Sequence, residues 1–304
     1  MRLKRRQFLG LVSLTGIGAI AASGWRKPQP EPLITPSIAP PERYTRPDQL
    51  VLRFAATADV GAGDANQRAI GKAMADWQQR YPYDLVVMAG DNIYDNGEIS
   101  RIKATFEEPY AELLKRGVKF RACLGNHDIR TDNGTPQVQY PGFNMDDRYY
   151  DYVQNNCHFF VLDTNANVNW TKQLTWLEQR LTASPAPVKV VYGHHPIYSS
   201  GRYGTDRTLV ERLGPIFQKH KVNLYINGHE HNYERTKPID GTTYLITGHG
   251  GAHLRPVNPS NISEFALSRH GFSLIEIYKK AIVIQGIDLN GERFDRGEIL
   301  LTNA

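Results

Sequence analysis

The sequence predicts a layered α/β fold that ends in a β meander. Three observations carry this. Short apolar runs rich in Val, Leu and Phe alternate with longer amphipathic stretches over the first two thirds of the chain. Most of those runs stop at a glycine followed by Asp, Asn or His. From Thr242 onward the amphipathic stretches cease and β-patterned segments follow one another. Strands that alternate with helices form sheets covered by helices, and ligands in such folds gather beyond the carboxyl ends of the strands.

The elements are expected in this order. LVLRFAATAD (50–59) is a first strand, and NQRAIGKAMADWQQR (66–80) is a helix with Ala69, Ile70, Ala73, Met74 and Trp77 on one stripe. DLVVMAGD (84–91) is a buried strand, RIKATFEEPYAELLKR (101–116) a helix and VKFRACLG (118–125) a third strand. After a polar loop come the strand CHFFVLDT (157–164) and the helix TKQLTWLEQRL (171–181). VKVVYGHH (188–195) and VNLYINGH (222–229) are strands flanking the helix TLVERLGPIFQKH (208–220). TYLITG, FSLIEIY, AIVIQGID and ERFDRGEILL read as consecutive antiparallel strands. No repeat of solenoid period is visible.

The N-terminus has a different character. Arg2, Lys4, Arg5 and Arg6 precede an apolar run from Phe8 to Ala22 that is short for a membrane span. Residues 1–25 therefore read as an export signal, and Arg5-Arg6-Gln7-Phe8-Leu9 resembles the twin-arginine type. An exported protein, periplasmic or extracellular, is expected; the alternative is a retained N-terminal anchor. Residues 26–47 are rich in proline and read as an extended linker, and residues 48–304 as one folded domain. Residues 1–27 hold six Lys and Arg and no acid, so without them the formal charge falls from +5 to −1. The basic composition therefore gives no argument for a nucleic-acid partner. Cys123 and Cys157 each lie in an apolar run and are expected to be buried; the sequence leaves open whether they pair.

Five apolar runs end in candidate metal ligands: Asp59, Asp91, Asn126-His127-Asp128, His194-His195, and His229 with His231. In four of the five a glycine comes immediately before the polar residue, allowing a tight turn and close approach of a side chain or ion. One such end is an ordinary turn or helix cap. Five at one rim of a sheet supply carboxylate, amide and imidazole donors, a mixture suited to first-row transition metals. The donors outnumber the four of one tetrahedral site, so two ions are expected.

Asp59-Val60-Gly61, Gly90-Asp91-Asn92, Gly125-Asn126-His127-Asp128, Gly193-His194 and Gly228-His229-Glu230-His231 resemble the five signature blocks of the calcineurin-like metallophosphoesterases, in the family's order. Tyr94, the run Gly193-His194-His195-Pro196 and GHEHNYER at 228–235 resemble the purple acid phosphatases, in particular their small tartrate-resistant form. The resemblance implies a four-layer α/β/β/α sandwich of two mixed sheets, with a dinuclear site at the strand C-terminal ends. It implies that Asp59, Tyr94 and His231 bind one metal, that Asn126, His194 and His229 bind the other, and that Asp91 bridges them. Iron(III) is expected at the Tyr94 position, with iron(II), zinc or manganese at the second.

The implied activity is hydrolysis of phosphomonoesters by attack of a metal-bound hydroxide. His127 is the expected group to hold a phosphoryl oxygen or protonate the leaving group, with Asp128 orienting its imidazole. The alternatives are a phosphodiesterase or nucleotidase with manganese or zinc, or a non-catalytic metal-binding protein. One departure stands out: the small purple phosphatases carry Glu-His-Gly after the fourth block, and this chain has Arg202-Tyr203-Gly204. Tyr203, Arg202 and His195 are candidates to bind substrate phosphate. His158 is expected to be structural, while His249 and His253 are candidates for the rim of the site. Small phosphorylated molecules and the twin-arginine export machinery are the expected partners, with no stable membrane span once the signal is removed.

Overall fold

A computed structural model describes residues 49–301. The expected export signal and proline-rich linker lie outside the described residues. The elements in chain order are β1 (Leu50–Thr57), α1 (Ala65–Arg80), β2 (Leu85–Met88), α2 (Ala111–Lys115), β3 (Lys119–Ala122), α3 (Thr135–Val138), β4 (Tyr150–Gln154), β5 (Cys157–Val161) and α4 (Trp170–Ala183). They continue with β6 (Val188–Tyr192), α5 (Arg207–His220), β7 (Leu224–Asn227), β8 (Tyr233–Thr236), β9 (Thr243–Thr247), β10 (Ser263–Leu267), β11 (Gly271–Tyr278), β12 (Ala281–Asp288) and β13 (Arg293–Leu300).

Two mixed sheets form, in the orders β13-β12-β11-β1-β2-β3 and β10-β8-β9-β7-β6-β5-β4. The period-two pattern of the strands decides what fills each layer. Phe159, Val161, Val190, Tyr192, Leu224 and Ile226 join the main core with Phe54 of β1. Their neighbours Phe160, Val191 and Tyr225 face the other way and pack with Leu177 and Leu181 of α4 and Leu213 and Phe217 of α5. Side chains of a strand alternate between faces, so one sheet serves both the core between the sheets and the core under its helices. Ile70, Met74 and Trp77 of α1 and Leu113 of α2 are buried with the first sheet. The result is the expected α/β/β/α sandwich.

Some local expectations change. The helix expected over 101–116 is broken into short 3₁₀ and wider turns, with regular α-helix only at α2. Pro109 explains this, because it has no N–H to donate and its ring clashes with the preceding turn. The segment TYLITG is β9, which pairs parallel to β7 and antiparallel to β8 rather than joining the terminal meander. Strand β8, YERT, goes unseen in the sequence because it looks polar, yet all four residues are buried. Its charge is matched internally: Arg235 donates from Nε and Nη2 to the Asp295 carboxylate at 2.8 and 2.9 Å, and the Tyr233 hydroxyl donates to the same group at 2.7 Å. Cys123 and Cys157 are both buried, as expected, and free.

Phe159 sits at the interlayer core, edge-on to Phe54 at 5.3 Å and stacked on Tyr152 at 4.8 Å. Phe159→Ala is expected to cost about 3–5 kcal/mol, read as a lower urea midpoint with the slope unchanged. A loss under about 1 kcal/mol would show that the layers do not depend on this contact.

Candidate metal centre

Asp59 follows β1, Asp91 follows β2 and His229 follows β7, and all three have left-handed backbones, with φ of 56°, 52° and 69°. Such conformations cost non-glycine residues about 1–3 kcal/mol each and persist where surrounding structure enforces them. Here backbone N–H groups do so. The His229 N–H donates to Asp59 Oδ2 at 2.8 Å, and the His127 N–H donates to Asp91 Oδ1 at 2.9 Å. Each carboxylate thus spends one oxygen on a neighbouring loop and keeps the other for the site. Two glycines make the approach feasible: a Cβ on Gly125 would lie 2.2 Å from Asp91 Oδ1, and one on Gly228 would lie 2.3 Å from Asp59 Oδ2.

The remaining donor atoms fall into two groups. In the first, the Tyr94 hydroxyl donates to Asp59 Oδ1 at 3.0 Å and lies 3.3 Å from His231 Nε2, which is itself 3.4 Å from Asp59 Oδ1. In the second, His194 Nε2 lies 3.1 Å from Asn126 Oδ1 and 3.2 Å from His229 Nδ1. Asp91 Oδ2 is 3.4 Å from His194 Nε2, and its charge also reaches the Tyr94 phenol. Asp59, Asp91 and His194 offer ligand atoms within 4.8 Å of one another.

The spacing fits cations. Ligands about 2.1 Å from an ion are separated by about 3.0 Å in an octahedron and about 3.4 Å in a tetrahedron. The tautomers fit as well. His194 Nδ1–H donates to the Ala89 carbonyl at 3.0 Å, and His231 Nδ1–H donates to the His253 carbonyl at 2.8 Å. Both leave Nε2 for the centre, the outer-partner pattern of metal-binding imidazoles.

The electrostatics of the protein alone point the same way. Burial by itself would favour neutral His194, but the charge and hydrogen bond of Asp91, the Asp59 charge and the Ala89 carbonyl together raise the imidazole to about 9. Asp91 is held well below the usual carboxylate range: burial opposes this, but the charge and hydrogen bond of His194, together with the charge and backbone N–H of His127, jointly outweigh it. Burial, then the charges of His194 and His195, push His229 down to about 2. Burial and the Asp59 and Asp91 carboxylates raise the Tyr94 phenol well above its ordinary value. A proton on His194 therefore stands in for positive charge, and a phenolate at Tyr94 requires a cation beside it.

Other sequence-selected residues lie elsewhere. Asp128 does not face the His127 ring. It is fully buried and accepts from the backbone N–H groups of Asn92, Ile93 and Gly125 and from the Asn92 and Gln137 amides, at 2.8–3.1 Å. It ties the Asp91 and Asn126 loops together. The His127 ring is oriented by Asp95, whose carbonyl accepts from Nδ1 at 2.6 Å; Nε2 faces the Arg130 guanidinium at 3.3 Å and Asp91 Oδ2 at 3.9 Å.

His195 hydrogen bonds Thr164 through Nδ1 at 2.8 Å and packs 4.6 Å from the His229 ring. It lines a cavity of about 310 Å³ with Tyr203 and His229. Tyr203 stacks on His229 at 4.5 Å, and the exposed Arg202 guanidinium lies 5.8 Å from the Tyr203 ring. His249 is not at the rim; it is fully buried against Tyr233 and Phe294. His253 contributes its backbone carbonyl rather than its ring. His158 bridges Ser184 and Asp151, a structural role. Arg255, which sequence reasoning passed over, donates from Nη1 to the His229 carbonyl at 2.6 Å and from its backbone N–H to the His231 carbonyl at 2.9 Å. Its only sequence signal was its place in the glycine-rich segment after β9.

A two-sheet sandwich with two donor sets joined through an aspartate defines a class of dimetal hydrolase scaffolds. Residues 52–233 match the calcineurin-like phosphoesterase family, to which this chain belongs. Tartrate-resistant acid phosphatase type 5 from pig (Sus scrofa) is 28% identical over 80% of this chain and 85% of its own. The purple acid phosphatase PPD1 from yellow lupin seeds superposes with a TM-score of 0.70 at 21% identity, covering 82% of this chain and 53% of that one. GAP50, described as the anchor in the inner membrane complex of Plasmodium, gives a TM-score of 0.74 at 22% identity, over 83% and 89% of the two chains. The chain is a purple acid phosphatase-like metallophosphoesterase, an enzyme that hydrolyses phosphoesters. Among the described residues no helix is long and apolar enough to cross a membrane.

A cation held at His194 Nε2 would have to displace the His194 proton. In the cation-free protein this imidazolium stabilises the fold fully below its unfolded value and loses that contribution as pH rises through about 9. Divalent-metal affinity is therefore expected to rise from pH 6.5 to 9, with at least one proton released on binding at about pH 7.5. Calorimetry in buffers of different ionisation enthalpy measures this; binding without proton release would contradict the assignment of His194.

Proposed function

We propose that this enzyme is an exported acid phosphatase that hydrolyses small phosphomonoesters. Iron(III) would be held by Asp59, Tyr94 and His231, and iron(II), zinc or manganese by Asn126, His194 and His229, with Asp91 shared. The observation that carries the reading is Tyr94, whose hydroxyl lies within 3.3 Å of both Asp59 and His231 donor atoms. A phenolate is a hard oxygen donor suited to ferric ion. When bound, two cations neutralise the phosphoryl oxygens and make a water nucleophilic at neutral pH.

The chain's own residues do the rest. Asp91 sets the separation of the two donor groups, because its Oδ1 is anchored by the His127 N–H and only Oδ2 faces inward. His127, aligned by the Asp95 carbonyl, presents Nε2 on the open side of Asp91, placed to hold a phosphoryl oxygen or hand a proton to the leaving alkoxide. Asp128 acts through the loops it pins and is a positioning residue. Arg5 and Arg6, in the N-terminal segment outside the described residues, support export by the twin-arginine route, which carries folded proteins and so lets metals be loaded before translocation.

Metal analysis with a visible spectrum tests the centre. The purified enzyme is expected to be coloured and to contain iron, and Tyr94→Phe to lose the colour. Asp91→Ala is expected to lose roughly 10³-fold in turnover of a chromogenic phosphomonoester. A colourless, iron-free, fully active enzyme would instead favour a manganese or zinc phosphodiesterase or nucleotidase. Replacing Arg5 and Arg6 together by Lys is expected to retain the protein inside the cell; export at the normal level would refute that route.

A further inference from the structure

We propose that Glu230, Asn232 and Glu234 form a separate calcium site beneath the loop 199–203, on the side of the chain turned away from the metal centre. The segment from His229 to Arg235 uses alternate residues for two tasks. His229 and His231 give their rings to the centre, and Tyr233 and Arg235 turn into the core, where both bind Asp295. Glu230, Asn232 and Glu234 alternate with them. Two contacts fix their direction: the Tyr203 N–H donates to Glu230 Oε1, and the Ser200 N–H donates to Glu234 Oε2 at 2.8 Å. The loop therefore runs along this side, with Asn232 midway between the two acids. A Cβ on Gly201 would stand 2.6 Å from the Glu230 carboxyl carbon, so glycine is what lets the loop come this close.

The protein does not satisfy these groups by itself. All three residues are 0% exposed. Among the described residues, Glu230 Oε2 has no hydrogen-bond partner, and neither do Oδ1 and Nδ2 of Asn232. Among them, too, no Lys, Arg or His stands within ion-pair distance of Glu230 or Glu234. Other buried acids are treated differently. Asp163 pairs with Arg148 at 2.7 Å, Asp295 with Arg235 at 2.8 Å and Glu276 with Arg53 at 2.6 Å. Asp128 has no arginine but gathers several amide donors. Two buried carboxylates without a counter-charge are costly. A cation against Glu230 Oε2 and Asn232 Oδ1 would supply that charge and give both atoms a partner.

The donor chemistry selects the ion. This side offers carboxylate and amide oxygens, edged by the hydroxyls of Ser200, Ser260 and Ser263, which lie 2.6–2.9 Å from one another or from Glu234. The imidazoles of His229 and His231 turn the other way. All-oxygen sets take hard cations, and calcium accepts an irregular set where magnesium demands a near-ideal octahedron. The loop above the site carries Tyr203, whose ring stacks on His229 at 4.5 Å. A cation here would thus fix one wall of the metal centre without touching its donor atoms.

The test uses the protein as purified, with its metal content measured before and after titration with calcium chloride by calorimetry. Wild type is expected to bind one calcium per chain with a Kd on the order of 10⁻⁴ M, and magnesium roughly 10-fold more weakly. Its other metals should stay in place. Asp91→Ala, which disrupts the centre, is expected to bind calcium as well as wild type does. Glu230→Gln and Asn232→Leu are expected to lose roughly 10-fold or more, and Asn232→Asp to gain roughly 10-fold, because the ligand set then carries one more charge. Should Asn232→Leu fail to fold, the gain in Asn232→Asp decides. Absence of calcium binding in wild type would overturn the proposal. So would binding that Asp91→Ala abolishes and the Asn232 substitutions leave unchanged, since calcium would then be occupying the centre itself.

Discussion

The Asp91 carboxylate is the point at which the two sheets' loops meet. Its Oδ1 is held by the His127 N–H from the loop after β3, and its Oδ2 faces His194 from the loop after β6 in the other sheet. Around it, donor atoms with lone pairs stand 3.0–3.4 Å apart, and a proton on His194 offsets their charge. An arrangement of that kind is held against its own repulsion by the scaffold, and cations relieve it. The left-handed backbones at Asp59, Asp91 and His229 and the glycines packed against the carboxylates follow from the same demand.

Buried acids away from the centre serve a different end. Asp128 gathers N–H donors from the Asp91 and Asn126 loops, Asp295 takes Tyr233 and Arg235 of β8, and Glu234 takes the serines of two rim loops. A buried carboxylate is costly unless satisfied, and each satisfied one fixes several chain segments at once. The loops around the site are thus held by side-chain networks rather than by sheet ladders. Residues far from the donor atoms set the shape of the rim in this way.

The layers were legible in the sequence because hydrophobic periodicity reflects burial directly. The runs ending at Asp59, Asp91, Asn126, His194 and His229 became strands or their immediate continuations, and their ends converge on one rim. β8 was not legible, because Arg235 is neutralised by Asp295, 60 positions away, and Glu234 is held by Ser200 and Ser263 from other segments. The placement of β9 failed for a similar reason: a buried strand's pattern does not say which neighbour it pairs with. Asp128 was misplaced because adjacency to His127 suggested contact, whereas the 3₁₀ turn at Asp128–Arg130 directs the carboxylate inward to the loop amides. Arg255 had only its place in the glycine-rich segment after β9 to mark it.

By itself the sequence determined the residue types at the strand ends and the glycines before them, since these are local demands of turn geometry and donor chemistry. It also determined the family, through the order and spacing of those blocks. Only the tertiary structure decided which donor atoms face one another and which nitrogen of each histidine is free. It also decided that Arg255 and Tyr203 flank His229. Those outcomes depend on where two sheets bring loops separated by more than a hundred residues, and no local pattern encodes that distance.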